Sequence, residues 1–247
     1  MKYDGDTLDD LLDVTGIEGG LLPEQQTNTT TLPERPGRSF FSKRHGIRMI
    51  GVNVVVRAGN EDTFFDRERN LAGKLNKPAP RKLFLYDDSA LYIWAILAGS
   101  TDIEQIVNHG RGQLPFECYD PFFYDDDETA STFESEGNKT MTNKGNDDSF
   151  PKYEIKGVTD GGEIDISIAN RTLRYDGPLI SGETLVLDSE TITAYVRRNN
   201  GTKAGVLSGL NTLRFPKLAP GKNELSIGTS GGAEISEVRV TPRSRWV

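Results

Sequence analysis

Few residues in this chain have the type and spacing to do chemistry. Gly228-Thr229-Ser230-Gly231-Gly232 matches the Gly-x-Ser-x-Gly spacing of a serine nucleophile elbow. That device needs a strand leading into a helix, and its histidine stands later in the chain than the serine. Ala233 onward alternates like a strand, and the last histidine, His109, lies far upstream. The stretch therefore reads as a flexible turn. His45 and His109 fall in different segments and show no His-Glu-x-x-His spacing, so no zinc ligand set forms around them. Cys118 is the single cysteine, which excludes an intrachain disulfide and a cysteine metal site. A reactive thiol needs a basic neighbour. Cys118 reads instead as a small, buried strand residue.

The 37 carboxylates leave acid–base chemistry of the glycosidase kind open by count. Such a pair is defined by its separation across a cleft, and no spacing here singles one out. Tyr153, Tyr175, Tyr195 and Phe215 are scattered like core or strand residues, not grouped as a sugar-stacking platform. Neither a Gly-x-x-x-x-Gly-Lys loop nor a dinucleotide fingerprint occurs. Asn-x-Thr matches such as Asn138-Lys139-Thr140 carry meaning only in a secreted chain. No residue is assigned a catalytic, cofactor-binding or metal-binding role, and no cofactor is expected.

The elements that would position any site are mostly strands. Residues 19–46 are rich in Thr, Pro, Gly and Arg and read as an irregular arm or long hairpin. From Ile47 to Arg57, Arg48, Ile50, Val52, Val54 and Val56 share one parity, which predicts a strand with a buried face. Asp62–Asn76 is the one good helix, with Asp62 or Thr63 as cap and Phe64, Leu71, Ala72 and Leu75 as its apolar stripe. Asn76-Lys77-Pro78 stops it. Strands follow at Lys82–Tyr86, Leu91–Leu97 and Gly112–Tyr119, with Asp87-Asp88-Ser89 as a turn. The acidic run Asp125–Glu128 reads as a solvated linker.

The second half is a string of short strands. Ile164, Ile166 and Ile168 alternate with polar residues, and further strands are expected at Glu224–Ile227 and Glu234–Val240. Asn200-Gly201, between Ile192–Arg197 and Lys203–Leu207, predicts a two-residue hairpin turn. Short strands with frequent turn signals and no convincing helix read as a β-sandwich.

Length and charge set the frame. A chain of 247 residues accommodates two ordinary domains, here 1–128 and 129–247. No apolar run approaches the ~18 residues that membrane spanning requires, and Met1–Asp6 lacks the flanks of a signal peptide. Membrane insertion is not expected, and cytoplasmic synthesis is the default. Residues 1–128 hold 14 basic and 22 acidic side chains, whereas the rest hold 15 of each. The whole net charge of −8 therefore belongs to the first half, and specific nucleic-acid binding is disfavoured.

In this order of segments the chain resembles the siphophage distal tail (Dit) family. The resemblance is carried by Leu11–Gly19, by Pro36-Gly37-Arg38-Ser39-Phe40-Phe41 leading into Arg48–Arg57, and by Leu71–Asn76. Arg81–Asp88, Leu91–Ala95 and Cys118-Tyr119-Asp120-Pro121-Phe122 continue it. In the second half Asn143–Asn146 before Phe150–Tyr153, Ser181–Glu190, Leu218–Asn223 and the terminal Pro242–Val247 complete it. The resemblance implies a mainly β chain: an N-terminal β-sandwich with one α-helix and a long hairpin or arm, then a galectin-like C-terminal β-sandwich. It implies a homohexameric ring at the tail tip or baseplate, without catalytic residues. The ring would join the tail tube protein to the tail-associated adhesion or lysin protein, the tape-measure protein and receptor-binding proteins, and would let DNA pass. Such a virion component is assembled in the host cytoplasm. The competing reading, suggested by the galectin-like fold, is a carbohydrate-binding module for host cell-wall recognition.

Overall fold

Period-two alternation governs both halves of the chain. The computed structural model describes residues 1–57, 61–85, 90–99, 103–106 and 109–247, with the backbone alone at 57, 61–63, 103–106 and 109. The chain divides into two compact units, Met1–Asp126 and Asp127–Trp246. It is mainly β with one α-helix, as expected.

The N-terminal unit contains β1 (Lys2–Tyr3), β2 (Asp6–Thr7), β3 (Asp13–Glu18), β4 (Gln25–Thr30), β5 (Ser39–His45) and β6 (Arg48–Arg57). The helix α1 (Glu61–Leu75) follows, then β7 (Arg81–Phe84), β8 (Leu91–Leu97), β9 (Ile103–Ile106), β10 (His109–Cys118) and β11 (Phe123–Asp125). Antiparallel pairing runs in the order β2-β1-β7-β8-β10-β6-β3, with β9 on β10 and β11 on β8. β6 and β10 pair without interruption from Arg57↔His109 to Arg48↔Cys118. The parity predicted for β6 is the buried one: Arg48, Ile50, Val52, Val54 and Val56 face inward. They meet Leu114, Phe116 and Cys118 of β10, Ile93 and Ala95 of β8, and Tyr3 of β1.

Helix α1 closes this core with Phe64, Leu71 and Leu75. Burying each such side chain contributes roughly 1.5–3 kcal/mol. Ala72, expected in the stripe, is exposed. At about 100° per residue, Phe64, Leu71 and Leu75 project within about 20° of one line, and Ala72 falls about 80° away. The helix ends where Asn76 N–H donates to Ala72 O at 2.9 Å and Pro78 blocks another turn. The expected cap at Asp62 or Thr63 involves side chains outside the described residues, as do the turn at Asp87-Asp88-Ser89, Tyr86 and the His109 ring. The third predicted strand starts earlier and stops at Cys118; Tyr119 lies beyond it, with its hydroxyl on Glu117 Oε2 at 2.8 Å.

The acidic run lies where the two units divide, and Asp126 and Asp127 are exposed. Asp125 closes β11, Asp126 N–H donates to Ala90 O at 2.9 Å and Asp126 pairs with Lys82. Glu128 accepts the Ser244 backbone N–H at 3.1 and 2.9 Å. Carboxylates next to orphan donors are fixed by them, so this solvated run is held in place at Glu128.

In the second unit, β12 (Ser131–Phe133), β13 (Gly137–Asn143), β14 (Lys152–Val158), β15 (Glu163–Ile168) and β16 (Arg171–Tyr175) come first. Then follow β17 (Thr184–Asp188), β18 (Thr193–Arg197), β19 (Lys203–Gly205), β20 (Gly221–Ser230) and β21 (Glu234–Thr241). One sheet is ordered β12-β21-β14-β17-β18-β19 and the other β13-β20-β15-β16. Tyr153, Ile155, Leu185, Leu187, Val238 and Val240 from the first pack with Ile164, Ile166, Ile168, Leu173, Leu225 and Ile227 from the second. Two antiparallel sheets enclosing one apolar layer make a β-sandwich.

Asn200-Gly201 does turn the chain, but differently from the expectation. Gly201 N–H donates to Arg198 O at 2.9 Å, Arg198 N–H donates to Thr202 O at 2.9 Å, and Gly201 has φ +81°. Asn200 does not enter the left-handed region. A two-residue type I′ turn needs positive φ at both central residues, so the loop is a three-residue turn closed by glycine. Ile192 has φ +50° in the turn before β18 and is therefore exposed rather than part of the strand.

Candidate assembly interface

The residues weighed for chemistry are dispersed. Ser230 ends β20, where Gly231 and Gly232, at φ +65° and +94°, turn the chain into β21. Its hydroxyl reaches a half-buried Glu163 carboxylate at 3.3 Å. Cys118 is fully buried at the end of β10, and burial pushes its thiol up to about 12. Tyr153, Tyr175 and Phe215 are core residues. Tyr195 is half-buried, with Lys203 Nζ 4.8 Å from its ring centroid. Among the described residues no three His, Cys, Asp or Glu side chains are grouped to hold a metal.

What the N-terminal unit does present is a ribbon. β4 and β5 pair with each other as a separate two-stranded sheet. The polar stretch Gln25–Thr30 could not supply a core, and here it forms one strand of the ribbon. A bulge at Phe41 breaks the alternation: Phe40 pairs with Thr29, and Ser42 with Asn28. The extra residue bends the strand and re-aims its side chains. Pro33, Pro36 and Gly37, the last at φ +88°, lie in the connection between the strands.

The base of this hairpin is firmly tied. Gly46 N–H donates to Glu24 O at 2.8 Å, and Glu24 N–H donates to Ile47 O at 3.2 Å. Gln25 Nε2 donates to Pro23 O at 2.7 Å and lies 3.1 Å from His45 Nδ1, whose ring meets Phe122 edge-on at 5.6 Å. Arg48 is the principal anchor. Its wholly buried side chain donates from Nη1 to Gly20 O at 2.7 Å and from Nε to Pro121 O at 2.9 Å. The guanidinium lies 5.0 Å from the Phe123 ring centroid. Burial holds its pKa below the ordinary guanidinium range, with the Cys118 sulfur acting the other way. Gly19, at φ +75°, passes so close to Met49 O that a Cβ would sit 2.1 Å from it.

The segment leading into the hairpin and the hairpin itself expose apolar and cationic side chains. Leu21, Leu22, Phe40 and Phe41 are 86%, 54%, 63% and 65% exposed. Arg35, Arg38, Lys43 and Arg44 are exposed as well, and none forms an ion pair among the described residues. Isolated exposed apolar residues are ordinary, but the adjacent pair Phe40 and Phe41, on a ribbon that pairs with no other strand among the described residues, marks a candidate interaction surface. The sequence motif Pro36–Phe41 lies at this point.

Residues 9–118 match a family model described as a phage tail protein RIFT-related domain. The matched stretch spans β3 to β10 and includes the hairpin. The chain also shares its fold along nearly its whole length with the crystal structure of phage SPP1 Dit. The TM-score is 0.78 at 15% identity, covering 99% of this chain and 98% of that one. SPP1 Dit is described as a paradigm of the hub adsorption apparatus in phages that infect Gram-positive hosts. A chain of the phage P2 baseplate in its activated, calcium-containing conformation matches at TM-score 0.50 and 7% identity, over 96% and 92% of the two chains. No curated protein matches in sequence. The resemblance read from the sequence is met by a phage tail domain match over residues 9–118 and by a distal-tail-like fold over the whole chain.

Proposed function

We propose that this protein is the hub of a siphophage tail tip. Six copies would close into a ring through the N-terminal domain, residues 1–128, each carrying a galectin-like domain, residues 129–247. The observation that carries the reading is the hairpin: a rigidly anchored ribbon with unsatisfied apolar and cationic side chains, on a phage tail domain. A closed ring needs a surface on each subunit that fits a different surface on the next, and the hairpin supplies one. The full-length likeness to a hub protein supports the same role. In that role the ring joins the tail tube protein to the tail-associated adhesion or lysin protein, the tape-measure protein and peripheral receptor-binding proteins. It acts by binding, without catalysis, and is assembled in the host cytoplasm before residing in the virion. The acidic excess of residues 1–128 suits a channel through which DNA passes without adhering.

Carbohydrate recognition by the second domain is the competing reading. Of the four aromatics considered for stacking, three lie in the core and one is half-buried beneath a lysine. Docking and spacing suit this surface better.

Negative-stain imaging of residues 1–128 and of the full chain tests the proposal. Six-fold rings are expected for both. A Phe40→Ser/Phe41→Ser variant should melt within about 0.5 kcal/mol of the parent, as exposed substitutions do, yet form no rings. Monomers at high concentration in every preparation, or rings from the variant, would refute the hairpin-closed ring.

A further inference from the structure

The free cations of the hairpin identify the chemistry of the surface that receives it. Residues 24–45 hold four basic and two acidic side chains, while the remainder of residues 1–128 holds ten basic and twenty acidic. The ribbon is thus a positive element on a strongly negative body. Its four cations are exposed and unpaired among the described residues, and they flank Phe40 and Phe41 in sequence. Several cations elsewhere in this unit are engaged with acids: Lys74 with Asp6, Lys77 and Arg81 with Asp4, and Lys82 with Asp126. The hairpin departs from that pattern.

We propose that Arg35, Arg38, Lys43 and Arg44 dock onto a carboxylate-rich surface of the N-terminal unit of a second copy, with Phe40 and Phe41 as the apolar centre of the contact. The inference rests on the ring reading and adds to it the force that aligns the subunits. Charge complementarity steers encounter and fixes register, and desolvated aromatic side chains supply most of the affinity at such centres. Like-charged bodies repel one another, so copies approach productively only with the ribbon leading. The contact is head-to-tail. A subunit whose hairpin charge is reversed keeps its receiving surface and can still accept a wild-type hairpin, but cannot pass one on.

The test measures association of the full-length protein by sedimentation velocity and negative stain at 0.05, 0.15 and 0.5 M NaCl. Lys43→Gln/Arg44→Gln and Lys43→Glu/Arg44→Glu are compared with wild type, and melting curves verify that these exposed substitutions leave the fold intact. Ring formation should slow by roughly tenfold or more between the lowest and highest salt. The glutamine pair should be intermediate, and the glutamate pair should not assemble. Small amounts of the glutamate pair added to wild type should terminate growing arcs and deplete closed rings. Rings that form indifferently to salt and to these charges would overturn this inference and leave the ring reading standing. Salt-sensitive association without six-fold closure would support this inference and remove the hexamer. No association of wild type under any condition would remove both. Hairpin-dependent binding to phosphatidylglycerol vesicles, with copy-to-copy association unaffected by Lys43 and Arg44, would assign the cations to a lipid surface and overturn the proposal.

Discussion

Cys118 shows how little an isolated reactive group means without its surroundings. Burial raises its thiol to about 12, so the nucleophilic thiolate is negligible at neutral pH. A water-soluble disulfide reagent should leave it unlabelled in the folded protein and react stoichiometrically after denaturation; rapid labelling of the native chain would contradict the burial. Asp188 shows the opposite balance. Burial opposes its ionisation, but two Arg243 hydrogen bonds at 2.7 and 2.8 Å and the N–H groups of Thr191 and Glu190 outweigh that and depress its pKa. A carboxylate with a depressed folded pKa stabilises the fold fully above its unfolded value, about 3.9, and loses that contribution as pH falls through the folded value. Arg243→Gln should therefore cost about 1–3 kcal/mol at pH 7. The gap to wild type in thermal melts should shrink below about pH 4. A gap constant from pH 7 to pH 2 would show that the bond does not act through ionised Asp188.

At the scale of elements, Arg48 links the hairpin to the sheet. It was legible as one member of a buried parity, but parity alone does not reveal that a charged side chain points inward to hold two carbonyls. Arg48→Met should preserve the packing of β6 while releasing Gly20 and Pro121. Amide exchange should accelerate in β4 and β5 more than in β6 or β10; uniform acceleration would mean that Arg48 supports the whole core instead. Long alternating runs such as Arg48–Val56 and Ile164–Ile168 could be read because burial repeats every second residue. The two-residue strands β1 and β2 were not readable, since so short a stretch contains no period. β3 bears a bulge, between Val14 and Gly16, which blurs its alternation. The turn at Asn200-Gly201 was located correctly, but its type depends on the φ of Asn200, which the dipeptide does not determine. The acidic run was legible as charge near the division of the units, but composition says nothing of the Ser244 amide that Glu128 accepts.

For the whole molecule, the distal tail fold was legible through the order of many weak segments, none decisive alone. The candidate interface was partly legible: prolines and polar residues mark 19–46 as something other than core, and Phe40 and Phe41 stand out within it. Its electrostatic character emerges only when the ion pairs of the body are known and those four cations are seen to be left out.

The separateness of the β4–β5 sheet has a consequence for timing. A two-stranded ribbon supported along neither outer edge is marginally stable in water, so part of its ordering falls due only when a neighbour covers it. In the proposed ring, each junction would then form with less net free energy than its contacts suggest and would open again readily while the circle is incomplete. A subunit placed out of register could leave before the last junction traps it. Closure, which secures both sides of every subunit at once, would convert a set of reversible junctions into a lasting one.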